Sequence, residues 1–131
     1  EYYEEIKPEV RHLKELKKVI LDKSWYAKTS GNLELYYMYR GIKKENGIRY
    51  DITVIPPLKL GKEMNRTLGH FHKGPFGEIY KVLEGKGLFY LQKNKTPEVA
   101  EKVKVIEANK GEIIVIHPGY GHITINPTNQ T

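Results

Sequence analysis

Residues 103–126 read VKVIEANKGEIIVIHPGYGHITIN. Three apolar, β-branched runs lie in this stretch: VKVIEAN at 103–109, EIIVI at 112–116 and HITIN at 122–126. They are cut by Ala108-Asn109, by Pro118-Gly119 and, beyond the stretch, by Pro127. Runs this short, punctuated by Gly, Pro and Asn, read as strands joined by turns. Working outward, the same punctuation recurs. GLFYLQ at 87–92 and EIYKVLEG at 78–85 flank Gly85. RYDITVI at 49–55 stops at Pro56-Pro57, and LELYYMY at 33–39 lies between Gly31-Asn32 and Gly41. The polar run Asn94–Glu101 reads as a hairpin loop. Ahead of Trp25 the period changes. PEVRHLKELKKVIL at 8–21 carries Val10, Leu13, Leu16 and Ile20 at helical spacing, with Pro8 suited to a first helical position. One helix followed by seven strand candidates predicts a mainly β fold, a small sandwich or barrel, and argues against a βαβ sheet.

The 131 residues suit one domain. Its expected organisation is an N-terminal helical segment over 1–32 packed on a β-barrel domain over 33–131. With no cysteine, disulfide scaffolds, thiolate zinc sites and cysteine nucleophiles are excluded. There is no 18-residue apolar run and no apolar leader in residues 1–20, so the expectation is a cytoplasmic chain without a membrane partner. Twenty-two basic against 16 acidic side chains give a net charge of +6, which asks for an anionic partner. Arg11, Lys14, Lys17 and Lys18 have no base-stacking aromatics interleaved, so no nucleic acid is expected. A phosphorylated small molecule is one anion that would answer this charge.

Metal-ligand chemistry gathers on four residues. His70 and His72 stand two apart, the spacing that puts alternate strand residues on one face. Glu78 opens the next strand candidate and His122 opens the last. Three imidazoles and a carboxylate suit one divalent ion (Fe, Mn, Ni or Zn), with positions left for substrate or water. Any one of them alone would read as an ordinary surface or core residue. His117 reads as part of a surface turn or pocket rim, and His12 as a solvated helix residue.

The spacing resembles the cupin superfamily. GHFHKGPFGEIYKVLEG at 69–85 is similar to its first motif, G-x5-HxH-x3,4-E-x6-G, with six residues between Glu78 and Gly85. Five residues separate His72 from Glu78, and Met64 stands where the motif's leading Gly would be. Residues 111–126 are similar to the second motif, G-x5-PxG-x2-H-x3-N, through Gly111, Gly119, His122 and Asn126, with His117 in place of its Pro. LGKEMNRTLGHFH followed by EIYKVLEGKG narrows the resemblance to archaeal cupin-type glucose-6-phosphate isomerases.

That resemblance implies a jelly-roll β-barrel and a metal-dependent aldose–ketose isomerase of glycolysis and gluconeogenesis, acting as a homodimer. It implies metal ligands at His70, His72, Glu78 and His122, and sugar-phosphate donors at Tyr36, Thr53, Thr67 and Gly69. Tyr80 matches the tyrosine two after the glutamate. The family's further strands after the second motif have no counterpart in these residues, so the expectation is either a fragment of a longer chain or a barrel lacking its last strands. Interconverting glucose 6-phosphate and fructose 6-phosphate through a cis-enediol needs a base and oxyanion stabilisation. Glu78 is the expected base, assisted by Tyr80 and His122. Two other readings compete: a non-catalytic sugar-phosphate-binding cupin, which would keep the pocket and dispense with the metal, and an Fe-dependent dioxygenase, which would use similar ligands but not Thr53, Thr67 and Gly69 as phosphate donors. Mannose 6-phosphate is a second possible substrate.

Overall fold

The computed structural model describes residues 6–71 and 76–131, the side chains of His70 and Phe71 excepted. It is mainly β. Eleven strands run β1 (Glu9–His12), β2 (Glu34–Glu45), β3 (Ile48–Val54), β4 (Lys59–Leu60), β5 (Glu63–Met64), β6 (His70–Phe71), β7 (Glu78–Lys81), β8 (Lys86–Thr96), β9 (Val99–Asn109), β10 (Ile113–Ile116) and β11 (Tyr120–Ile125). A 3-10 helix (Leu13–Val19) and a five-residue helix α1 (Lys23–Ala27) stand between β1 and β2. All seven expected strands are present.

Their pairing is nested. β8 and β9 form the inner hairpin, β7 pairs with β10 outside it, and β6 pairs with β11 outermost, all antiparallel. β11 also pairs with β8, giving the sheet order β6-β11-β8-β9. Folding a long hairpin back on itself in this way is the arrangement of a jelly roll. The N-terminal sheet β1-β2-β3 is separate.

The helix expected over 8–21 is corrected by the structure. Residues 9–12 are a strand, with Val10 opposite Tyr37 and Arg11 opposite Tyr36. Only Leu13–Val19 is helical, and it is a 3-10 helix. The apolar spacing of Leu13, Leu16 and Ile20 is still meaningful, since all three are fully buried. Extending it back to Val10 was the error, because pairing with β2 satisfies the backbone there. His12 accordingly ends a strand. The loop expected at Asn94–Glu101 is also shorter: the ladder runs to Thr96 opposite Val99, leaving Pro97-Glu98 as the turn. β2 runs past Gly41 to Glu45, through a register shift between Tyr39 and Lys43. Its hairpin with β3 turns at Asn46-Gly47, both at positive φ (52° and 76°). Positive φ at both central residues is the mark of a type I′ turn and the reason Asn-Gly stands there.

Two apolar clusters support the strands. Leu13, Leu16, Ile20, Leu35, Tyr36 and Leu60 form the first; Phe89, Leu91, Ala108, Ile114 and Ile116 form the second. Asp22 caps α1 by accepting from Trp25 N (3.2 Å) and also accepts from Lys62 N (3.1 Å). Glu63 accepts from both Leu21 N and Asp22 N, each at 2.9 Å, which fastens the helical segment to the β4–β5 hairpin.

Two asparagines hold the strand that carries His122. Asn65 is fully buried and donates to Leu35 O (2.6 Å) and Pro56 O (3.0 Å). Its own carbonyl accepts from Asn126 N (3.0 Å). Asn126 in turn donates to Ile55 O and Gln130 O, each at 2.7 Å. The second motif's terminal Asn is thus a backbone clamp at the end of β11. Replacing Asn65 with Ala strips two carbonyls of their donor inside the fold. Asn65→Ala should lower unfolding stability by about 2–4 kcal/mol, read by denaturant unfolding with an unchanged m-value.

Candidate active site

The side chains that meet at the site come from two strands, β7 and β11. On β7, Glu78 stands opposite Ile116 and Tyr80 opposite Ile114, and both of those β10 residues are buried. Ile79 between them faces out and is 74% exposed. The period of two therefore turns the carboxylate and the phenol inward together. On β11, His122 stands opposite the buried Leu91 of β8 and is itself only 4% exposed.

These three side chains converge. The Tyr80 hydroxyl lies 3.0 Å from His122 Nε2, and the two rings meet edge to face with centroids 5.3 Å apart. Glu78 Oε2 is 3.7 Å from the same nitrogen. Phe89 closes one side of the Tyr80 ring at 5.7 Å. Burial pushes the Tyr80 phenol well above its ordinary range. The adjacent Glu78 carboxylate, which also takes a hydrogen bond from the phenol, adds to this, and Asp51 acts in the same sense at longer range, with Arg40 opposing. Tyr80 is therefore a neutral proton donor that can serve either Glu78 or His122.

Register brings residue 70 to this place as well: His70 of β6 is directly opposite His122 of β11. His72 lies outside the described residues. Among the described side chains no group of three His, Asp or Glu converges. Imidazole and carboxylate donors 3.7 Å apart are the right chemistry for a borderline divalent cation, and His70 and His72 would complete the set. The donors present fit such an ion.

The four expected phosphate donors lie along two strips of backbone. Thr67 N donates to Thr124 O, and Thr67 Oγ1 accepts from Thr124 N, each at 3.0 Å. Its hydroxyl proton is still available to a ligand. Gly69 runs so close to β11 that a Cβ there would meet Ile123 Cγ1 at 2.9 Å, which explains the glycine without a ligand. Tyr36 is buried, and its hydroxyl accepts from Leu68 N at 2.9 Å, between Thr67 and Gly69. Thr53, exposed on β3, is opposite Met38, which is two residues from Tyr36 on β2. His117 is exposed in the turn before β11 and borders a cavity of about 230 Å³ with Leu91, Lys104 and Tyr120.

The comparison that decides the family matches residues 10–131 to the glucose-6-phosphate isomerase (GPI) family model. The chain belongs to the glucose-6-phosphate isomerase family. It is similar to the glucose-6-phosphate isomerase of Thermococcus litoralis, at 34% identity over 128 residues, covering 94% of this chain and 65% of that protein. The isomerase of Pyrococcus abyssi is 34% identical over 122 residues, covering 89% and 62%. That of Pyrococcus furiosus is 39% identical over 85 residues, covering 64% and 42%. The chain thus spans just under two thirds of the length of the first of these relatives.

Sequence reasoning within the isomerase family does not reveal Arg40 and Asp51. Both belong to the β1-β2-β3 sheet, yet both act on the Tyr80 phenol. The alternation of β3 could have flagged Asp51, two residues before Thr53 on the same face.

Because its folded-state value is raised, Tyr80 should stay un-ionised at pH values where exposed tyrosines have lost their protons, above about pH 10. A difference titration at the phenolate absorbance, native chain minus Tyr80→Phe, should show no amplitude through that range. By linkage, a raised phenol stabilises the fold fully below the unfolded value, and this contribution falls away as pH rises through the folded one.

Proposed function

We propose that this chain interconverts glucose 6-phosphate and fructose 6-phosphate as a metal-dependent isomerase. The observation that carries the reading is the convergence of Glu78, Tyr80 and His122 in one half-buried site, with a protonated phenol between a carboxylate and an imidazole. Family membership supports the reaction class, since the relatives are named for it.

Proton transfer between C1 and C2 of the open-chain sugar needs a base beside the carbon and a donor beside the oxygen. Glu78 is the base, and takes the proton from C2 of the aldose. Tyr80 holds its proton at neutral pH and donates a hydrogen bond to the oxygen on which charge develops. His122, in contact with that hydroxyl, orients it. The protonated Glu78 then delivers its proton to C1 while the O2–H proton passes through the Tyr80 hydroxyl to O1, completing a cis-enediol route with Glu78 and Tyr80 restored. His70, His72, Glu78 and His122 would hold the divalent ion, whose chemistry when bound is to polarise the sugar oxygens. Thr67 and Thr53 hydroxyls, the Tyr36 hydroxyl and the Gly69 N–H are the phosphate contacts in this reading.

A dioxygenase would use similar ligands, and a non-catalytic sugar-phosphate binder would keep the pocket and dispense with the metal. Neither would require the phenol that stands against the imidazole. Self-association as a homodimer belongs to the reading too, supported by the exposed Ile79, Ile113 and Val115 on the outer face of β7 and β10.

Glu78→Gln should abolish turnover, with a fall of at least about 1,000-fold, while sugar-phosphate binding stays measurable. Turnover at the native rate in that variant would remove Glu78 as the base. With glucose 6-phosphate deuterated at C2, the label should wash into solvent during turnover; complete retention at C1 would instead point to hydride transfer.

A further inference from the structure

The β1-β2-β3 sheet carries a charged row on the face that holds Tyr36 and Thr53. Register sets Glu9, Met38 and Thr53 side by side across the three strands. Arg40, two residues beyond Met38, lays its guanidinium back over that row. Its Nε donates to Glu9 Oε2 at 2.9 Å, and one terminal nitrogen lies 3.5 Å from Met38 Sδ. The fork is therefore held over the Glu9–Met38 part of that row, on the face that also carries Thr53 and one row from Tyr36, instead of extending along the strand. Its side chain is about half exposed (48%), so a ligand can reach it. An arginine has five N–H donors, and Glu9 and Met38 occupy only part of them.

The next row repeats the theme. Arg11 is directly opposite Tyr36, and its guanidinium lies beside the Tyr36 hydroxyl while bonding Glu15 at 2.9 Å. That hydroxyl accepts from Leu68 N, inside the segment with Thr67 and Gly69. Two arginines thus share the sheet face that holds Tyr36 and Thr53, but they differ in commitment. Arg11 is engaged by Glu15 and Glu9 on the N-terminal strand and turn, whereas Arg40 is oriented by Glu9 alone among the described carboxylates that pair with it.

We propose that Arg40 is the cationic specificity residue of the site, the group that distinguishes a sugar carrying a phosphate dianion from the neutral sugar. This rests on the sugar-phosphate reading given above and adds what that reading lacks. Thr, Tyr and backbone donors carry no net charge, so they bond a dianion without neutralising it. A planar fork with free N–H groups adds the opposite charge, and forms an ion pair only with the anion. Glu9 keeps the fork folded back over Met38, on the face shared with Thr53, when no anion is present, which lowers the cost of ordering a long side chain on binding.

The test is calorimetric or NMR titration of the full chain with fructose 6-phosphate, fructose and inorganic phosphate. Arg40→Gln should weaken fructose 6-phosphate and inorganic phosphate binding by about tenfold or more, leaving fructose affinity within about twofold. Arg40→Lys should recover part of the loss, since it keeps the charge and gives up the fork. The salt dependence of fructose 6-phosphate binding should flatten in Arg40→Gln. A purely structural Arg40 would move the melting temperature and the affinities for both sugars together, and that result would overturn the proposal. So would phosphate-ester affinity in Arg40→Gln equal to that of the native chain. If the native chain binds no sugar phosphate at all, the isomerase reading falls with this one; equal binding by native and variant chains removes Arg40 alone.

Discussion

Strand β11 is hydrogen-bonded along both edges, to β6 on one side and β8 on the other, and the site depends on that double pairing. A strand held on both edges cannot slip without breaking two ladders, and a slip of one residue would turn His122 to the opposite face. The pairing with β8 sets His122 against Leu91 and so decides that the imidazole points inward. The pairing with β6 sets residue 70 opposite it. Asn126 and Asn65 close the end of the strand with bonds that leave no buried polar group of either side chain wasted. Register, burial and chemistry at the site are thus one constraint expressed three times.

The separate β1-β2-β3 sheet contributes a different kind of order. Its core side is built by Leu13, Leu16 and Ile20 packing on Leu35, but its charged face is organised by ion pairs, Glu9 with Arg40 and Arg49 with Asp51. Exposed pairs of this type add little stability, on the order of 1 kcal/mol or less. Their value here is orientation: each carboxylate holds a long cation in a fixed direction. Glu78, Tyr80 and His122 thus come from the nested strands, and Arg40 and Asp51 from the neighbouring sheet.

The strands with a clear alternation or a glycine stop were legible: β10 and β11 lie within two residues of their sequence boundaries. The pairing of residues 70 and 122 was legible through motif spacing alone. Three kinds of feature were not. Strands of two residues, such as β4 and β5, are too short to carry a period. The run from Val10 to Ile20 mimics a helix because a strand followed by a 3-10 turn happens to repeat every three or four residues. Gly41 resembled a strand end, although the Asn46-Gly47 pair beyond it was the stronger hairpin signal. Arg40 and Asp51 were hidden for a further reason. Their approach to Tyr80 comes from the packing of strands about 30–40 residues apart, which no local pattern records.

The nesting has a consequence for how the chain folds. The β8–β9 hairpin joins residues separated by a two-residue turn, so its loop closes at little entropic cost and quickly. β7 with β10 can zip only once that hairpin has brought residues about 30 apart together, and β6 with β11 must wait for both. The contact between residues 70 and 122 closes the longest loop of the three. In a chain of this topology, the backbone contact that brings residues 70 and 122 together is the last rung of the zipper. Chemistry is acquired only when collapse is complete, and a partly folded chain carries its histidines apart.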